Sequence, residues 1–425
     1  MSNDNQHIPS GYKPSPLGII PEDWEVKRLG EVCTFLRNNT LSRNQLNETN
    51  GKVQNVHYGD ILVKYPSILN ARAESIPYVN QEDYKDTLNE FIEDGDVIMA
   101  DTAEDETVGK ACEIINVDSK RILAGLHTML IRPQKGLFAS SFLGYHINSN
   151  SYRRQLNALM QGIKVCSLGK QVIANTFLLV PPLPEQQRIV SLLSLWDTVM
   201  AKQTALIEQL TLRKRGLIQQ LLTGKKRLKG FEWKWKDVRL GDVALVIGGG
   251  TPNTNIPDYW DGDIPWFTPS EIGENKYVNI SKRTITEKGL NDSSAKILPK
   301  GTILFTSRAT IGAKAILTTE ATTNQGFQSL VVTNGNNNEF IYYYLDIIIN
   351  EIKQKASGST FPEVSAESIR KTAIKIPNVN EQNAIASVLV NADNEIEIQK
   401  QKLTAMQEQK KGLMQVLLTG KRRIV

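Results

Sequence analysis

A chain of 425 residues, 40% hydrophobic and 22% charged, is long enough for two or three domains and has the balance of a soluble globular protein. Its net charge of +5 permits an anionic partner without demanding one. Cys33, Cys112 and Cys166 form no Cys-x-x-Cys pair, and His7, His57, His127 and His146 fall at no metal-ligand spacing, so neither a disulfide framework nor a zinc site is indicated. The polar start lacks an apolar signal core, and no apolar run approaches the ~20 residues that cross a bilayer. The expected compartment is the cytoplasm.

Residues 1–20 read as an extended tail, because Pro9, Gly11, Pro14, Pro16 and Gly18 oppose regular structure. A first globular segment, 21–184, opens at Pro21-Glu22-Asp23-Trp24. Its stretch from Trp24 to Val32 has an echo from Trp235 to Val243, opening a second globular segment, 231–380. Inside both, a polar turn with glycine leads into a short β-rich run: Asp94-Gly95-Asp96-Val97-Ile98-Met99 and Pro299-Lys300-Gly301-Thr302-Ile303-Leu304-Phe305. Thr107-Val108-Gly109-Lys110-Ala111 then matches Thr310-Ile311-Gly312-Ala313-Lys314. Helices are expected near 140–160 and 339–356, the second from its helical apolar period. A glycine-bearing loop follows each, and loop lengths differ between the copies.

Each globular segment runs into a long helical segment, 185–230 and 381–425. Glu185 and Glu381 are 196 residues apart, and so are Gly224 and Gly420. A repeat that tolerates no length change reads as one rigid helix. Apolar residues recur at steps of three and four: Ile189, Leu192, Trp196, Leu206, Leu210, Leu217 and Leu221, then Ile385, Leu389, Ile396, Leu403, Met406, Leu413 and Leu417. Gln203 and Arg213 interrupt the first series as polar rungs. Such a heptad-like seam needs a partner helix, and the other copy supplies one. Pro184 suits a first turn, Asn380 a cap, and Gly224 and Gly420 a C-terminal stop. A helix of this length spans roughly 55 Å, enough to hold two readers a turn of B-DNA, ~34–36 Å, apart. The acid-free basic run from Arg213 to Lys229 is either a solvated helix end or an anion-facing surface.

The fold class expected is α+β: two α/β domains alternating with two long helices that pair as an antiparallel coiled coil with pseudo-two-fold symmetry. At this point the residues resemble the specificity subunit of type I restriction–modification systems. The resemblance covers nearly the whole chain from Gly18. It is carried by Ile20-Pro21-Glu22-Asp23-Trp24 with Leu29-Gly30, by Pro181-Pro182-Leu183-Pro184-Glu185-Gln186-Gln187-Arg188-Ile189, and by Lys214-Arg215-Gly216-Leu217-Ile218-Gln219-Gln220-Leu221-Leu222-Thr223-Gly224. Gly249-Gly250-Thr251-Pro252, Tyr259-Trp260, Ile264-Pro265-Trp266 and Ser307-Arg308-Ala309-Thr310-Ile311-Gly312 look like the second target recognition domain. The second helix departs at its start, with Asn378-Val379-Asn380 where the first has Leu183-Pro184.

The resemblance implies that each globular segment reads half of a bipartite, asymmetric site in double-stranded DNA. It implies that the helices set the spacer and dock two methyltransferase subunits, with motor–nuclease subunits joining for cleavage. S-adenosylmethionine and ATP with magnesium then belong to those partners and none to this chain, which is expected to be non-catalytic. The sequence agrees in lacking a phosphate-binding Gly-x-x-x-x-Gly-Lys-[Ser/Thr] loop, a dinucleotide-binding helix start and an Asn-Pro-Pro-Tyr/Phe motif. Readout needs paired donors and acceptors, and phosphate contacts need cations and hydroxyls. The candidates are Lys64, Arg72, Gln161 and Lys164 in the first domain. In the second they are Thr251, Asn253, Thr254, Ser307, Arg308, Thr310, Ser359 and Thr360. Trp260 and Trp266 read as anchors. Rival readings are the recognition subunit of a methyltransferase-only or orphan assembly, and a structural coiled-coil adaptor, which leaves the two divergent strand-rich domains unexplained.

Overall fold

The computed structural model describes residues 8–84, 90–160, 166–308, 310–333, 335–357 and 362–424. By contacts the chain forms two compact units, one of residues 1–203 with 402–425, the other of residues 204–401. Each unit thus holds one globular domain, the start of one long helix and the end of the other. The five-part division of the sequence differs because the helices belong to both units.

The first unit is built on a five-stranded sheet in the order Cys33–Leu36, Thr128–Pro133, Val97–Ala100, Ala111–Ile115, Ile68–Asn70; only the last pair is parallel. The central run Val97–Ala100 is buried on both faces. Val97 and Met99 enter one core with Leu29, Leu143 and Tyr152, while Ile98 and Ala100 enter another with Ile61 and Leu69. Alternation across a strand requires two such cores when both faces are covered. Gly95, with φ near +89°, makes the turn into this strand.

The second unit repeats this topology. Its sheet runs Ala244–Gly248, Gln328–Val332, Ile303–Phe305, Lys314–Leu317, Tyr277–Val278, again with only the last pair parallel. Ile303 and Phe305 face one core and Leu304 another. Each unit adds a smaller sheet holding one parallel pair: Gln54–Val56 with Ile122–Ala124 in the first, Trp260–Phe267 with Thr322–Thr323 in the second.

Two helices of 39 residues, Leu183–Leu221 and Val379–Leu417, match the repeat. Within the first unit, Ile189 and Leu193 share a core with Leu417 and Leu418. Within the second, Leu221 and Leu222 share one with Ile385 and Leu389. In both, the start of one helix meets the end of the other, so the pairing is antiparallel.

Three local expectations are corrected. Residues 12–21 are not a structureless tail: Tyr12–Ser15 and Gly18–Pro21 form an antiparallel hairpin, and the Tyr12 hydroxyl donates to Gly420 O at 3.0 Å. Prolines fit this two-stranded hairpin, where few backbone donors need a partner. The cap of the second long helix is Asn378, whose Oδ1 accepts from Glu381 N at 3.0 Å; Asn380 lies inside the helix. Along the seam, Leu206 is 38% exposed while Gln203 is buried, so the polar rung turns inward where the leucine turns out. Leu193 and Leu222, absent from the expected series, are fully buried.

Candidate nucleic-acid interface

The repeat extends to individual hydrogen bonds. In the first unit Asp101 N donates to His127 O, Leu168 N to Asp101 O, Gly109 N to Ala100 O, and Asn39 N to Ala124 O. In the second, Ser307 N donates to Gly326 O, Val364 N to Ser307 O, Gly312 N to Thr306 O, and Gly250 N to Thr323 O. These bonds make Asp101 the counterpart of Ser307, His127 of Gly326, and Asn39 of Gly250. Thr102 pairs across with Ser167 as Arg308 pairs across with Glu363. In each unit the same loops therefore meet where a central strand ends.

In the second unit this meeting gathers most of the expected residues. The Thr251 hydroxyl bonds the exposed Gln325 side chain. Asn253 Oδ1 accepts from Asn255 N at 3.0 Å, and Asn253, Thr254 and Thr310 are exposed. Gly249 is obligatory here, because a Cβ would come within 2.0 Å of Asn324 O. Arg308 pairs with Glu363 at 2.8 Å, and its side chain is 47% exposed. A pair so exposed is worth 0–1 kcal/mol, about, and exchanges readily for another anion. Ser307 is a correction: it is fully buried and its hydroxyl donates to Gly326 O at 3.3 Å, so it fixes the loop and presents nothing outward. Ser359 and Thr360 lie outside the described residues. Trp260 and Trp266 are buried edge-to-face at 5.0 Å, and their indole N–H groups donate to Asn253 O and Gly250 O. They anchor the loop, as their sequence context suggests.

The first unit is different. Lys64 Nζ donates to Ser75 O at 2.7 Å, at the end of the helix Tyr58–Val63. Arg72 forms two 2.5 Å bonds to Asp118, and that carboxylate raises its pKa. Neither belongs to the loops equivalent to those around Arg308. Gln161 and Lys164 lie outside the described residues. Sequence reading passed over Thr102, Ser167, His127 and Tyr58. Asp101 to Gly109 is longer than its counterpart Ser307 to Gly312, so matching the two glycines and counting back misses Thr102.

A second, buried set of residues is shared by both units. Glu185, buried, accepts from Trp24 Nε1 at 2.9 Å and from Arg423 at 2.7 and 2.8 Å. Glu381, fully buried, accepts from Trp235 Nε1 at 3.2 Å and from Arg227 at 2.6 and 2.7 Å. Bonds to Glu185 and Asp23 hold the Arg423 pKa far above its usual value. Gln186 Oε1 accepts from Ala139 N, and Gln382 Oε1 from Asn337 N. Tyr145 donates to Asp197, which also meets Lys410; Tyr343 donates to Asp393, which also meets Lys214. Part of the basic run thus has a structural role, since Lys214, Arg227 and Arg213 all meet carboxylates of the other long helix. Among the described residues no cluster of three or more metal-ligating side chains occurs. Among the described residues, no helix is long and apolar enough to cross a membrane.

Like anchors beneath dissimilar polar loops, repeated in two units, are the build of a recognition protein with two different faces on one kind of frame. The family model for the type I restriction modification DNA specificity domain matches twice, at residues 21–212 and 232–408, and the chain belongs to that family. It is similar to the type I restriction enzyme MjaIX specificity subunit of Methanocaldococcus jannaschii, 42% identical over 170 residues, 39% of each chain. It is similar over 97% of each chain, at 24% identity, to the putative MjaX specificity subunit of the same organism. A solved chain from a study of complex assembly and conformational transition in the type I R-M system shares the fold, with a TM-score of 0.65 and 20% identity over 95% of this chain and 99% of that one.

Proposed function

We propose that this chain is the DNA-reading subunit of a type I restriction–modification complex, each unit reading one half of a bipartite, asymmetric site. The observation that carries this reading is the repeated frame: the same hydrogen bonds hold loops of different chemistry, Arg308 and Glu363 in one unit and Thr102 and Ser167 in the other. The unbroken helices, each ~58 Å at ~1.5 Å per residue, are long enough to act as the spacer gauge and as docking surface for two methyltransferase subunits. Adenine methylation with S-adenosylmethionine is assigned to those subunits, and ATP- and magnesium-dependent cleavage to motor–nuclease subunits. Methyl transfer would take the target base out of the duplex. The chain supplies recognition in the cytoplasm and no reacting group.

The test is an insertion of four residues after Leu206, assembled with the methyltransferase partner. Sequencing of the methylated DNA is expected to show an altered spacer between unchanged half-sites. An unaltered spacer rejects the gauge. Arg308→Ala is expected to lower affinity, or to relax the second half-site, by ~1–3 kcal/mol. An unchanged motif and unchanged binding remove Arg308 from the interface.

A further inference from the structure

We propose that the first unit reads its half-site through His127, with Tyr58, Thr102 and Ser167 around it, and not through Lys64 or Arg72. The proposal rests on the reading that the loops around Arg308 face DNA in the second unit. Four backbone hydrogen bonds put His127 at the position of Gly326, and the Thr102–Ser167 pairing at that of Arg308–Glu363. A neighbour contact agrees independently. The Tyr58 and His127 rings meet edge-on at 5.3 Å, and in the second unit a Cβ on Gly326 would meet Pro269 at 2.7 Å. Both follow the parallel strand of the smaller sheet, so Tyr58 stands where Pro269 stands.

The residue at this position is therefore a bare glycine in one unit and a 47% exposed imidazole in the other. His127 is held at φ near +54°, a left-handed conformation that a side chain adopts at a cost. Its Nδ1 lies 3.6 Å from Asp101 Oδ1, and no described residue bonds Nε2. In the tautomer that carries its proton on Nε2, the exposed imidazole offers a donor there, and the acceptors in the DNA grooves that suit it are purine N7 and guanine O6. The neighbouring Thr102 and Ser167 add hydroxyls where the second unit has a cation and a carboxylate. The two faces thus offer different chemistry to their half-sites, as an asymmetric site requires.

The experiment uses the full chain assembled with its methyltransferase partner and a pool of duplexes randomised in both half-sites. For His127→Ala, selection and sequencing are expected to show roughly ten- to hundred-fold loss of discrimination at a first half-site position, with the second half-site intact. His127→Asn, which tolerates the left-handed backbone and keeps a donor, is expected to retain or change that preference without loss of folding. Lys64→Ala and Arg72→Ala are expected to leave the motif unaltered. An unaltered first half-site in both His127 variants, or its relaxation by Lys64→Ala or Arg72→Ala, overturns the proposal. A wild-type assembly that selects no bipartite sequence overturns the underlying reading, and is told apart by needing no variant at all.

Discussion

Arg227→Ala is expected to destabilise the second unit by about 3 kcal/mol. The reason is Glu381, fully buried at the start of the second long helix. Its two oxygens accept three hydrogen bonds, two from Arg227 and one from Trp235. Removing the guanidinium leaves a buried carboxylate with a single indole donor, and an orphaned buried charge is the costly case. At about 2–4 °C per kcal/mol for a unit of this size, the loss is about 6–12 °C in the melting temperature. Arg423→Ala is expected to act likewise on the first unit through Glu185. The double change Arg227→Met with Glu381→Gln is expected to cost less than Arg227→Ala alone, because no charge is then left unpaired. Urea denaturation of the three proteins checks this. A double variant less stable than Arg227→Ala would show that the pair itself, and not the orphaned carboxylate, sets the cost.

The long helices were legible in the sequence because a heptad-like apolar pattern over 39 residues has few other meanings, and because a repeat at constant offset cannot hide a loop. The sheets were legible only as short β-rich runs. Their order depends on pairings between distant segments, such as Ile68–Asn70 with Ala111–Ile115, that no local pattern encodes. The anchors escaped notice for a related reason. Glu185 and Arg423 are far apart in sequence, and each looks like an ordinary surface charge until the antiparallel pairing brings them together. The interface was read by residue chemistry alone, which favoured cations. That reading picked out Arg308, which the structure leaves exposed on a short loop, and also Ser307, whose hydroxyl turns inward. It also passed over His127, which the loops place at the equivalent position although no motif marks it.

The first unit is expected to lose stability on acidification through His146, and His146→Tyr is expected to remove that loss. His146 is fully enclosed beside Phe142 and Tyr152, and its Nε2 accepts from Leu179 N at 3.2 Å, so it must be neutral to hold that strand. Burial pushes its pKa down to about 4 from an ordinary 6.5. The unfolded chain therefore takes up a proton that the folded chain refuses. The contribution is complete above about pH 6.5 and is lost as pH falls through about 4, up to about 3 kcal/mol at 1.36 kcal/mol per pH unit. Glu113 works in the opposite direction: burial raises its pKa to about 7, so its contribution is complete below about 4.5 and is lost as pH rises through 7. Only the difference between variant and wild type isolates the histidine. Tyrosine is the natural replacement because Tyr344, at the equivalent place in the second unit, accepts from Lys375 N at 3.0 Å without a titrating group in this range. The substitution also removes Nδ1, a buried atom with no partner among the described residues. If the larger ring does not fit, His146→Gln keeps a neutral acceptor. In urea titrations from pH 7.5 to 4, the stability of the wild type relative to either variant is expected to fall by up to about 3 kcal/mol as the pH is lowered. Parallel profiles would mean that His146 is protonated in the folded protein without loss of the strand.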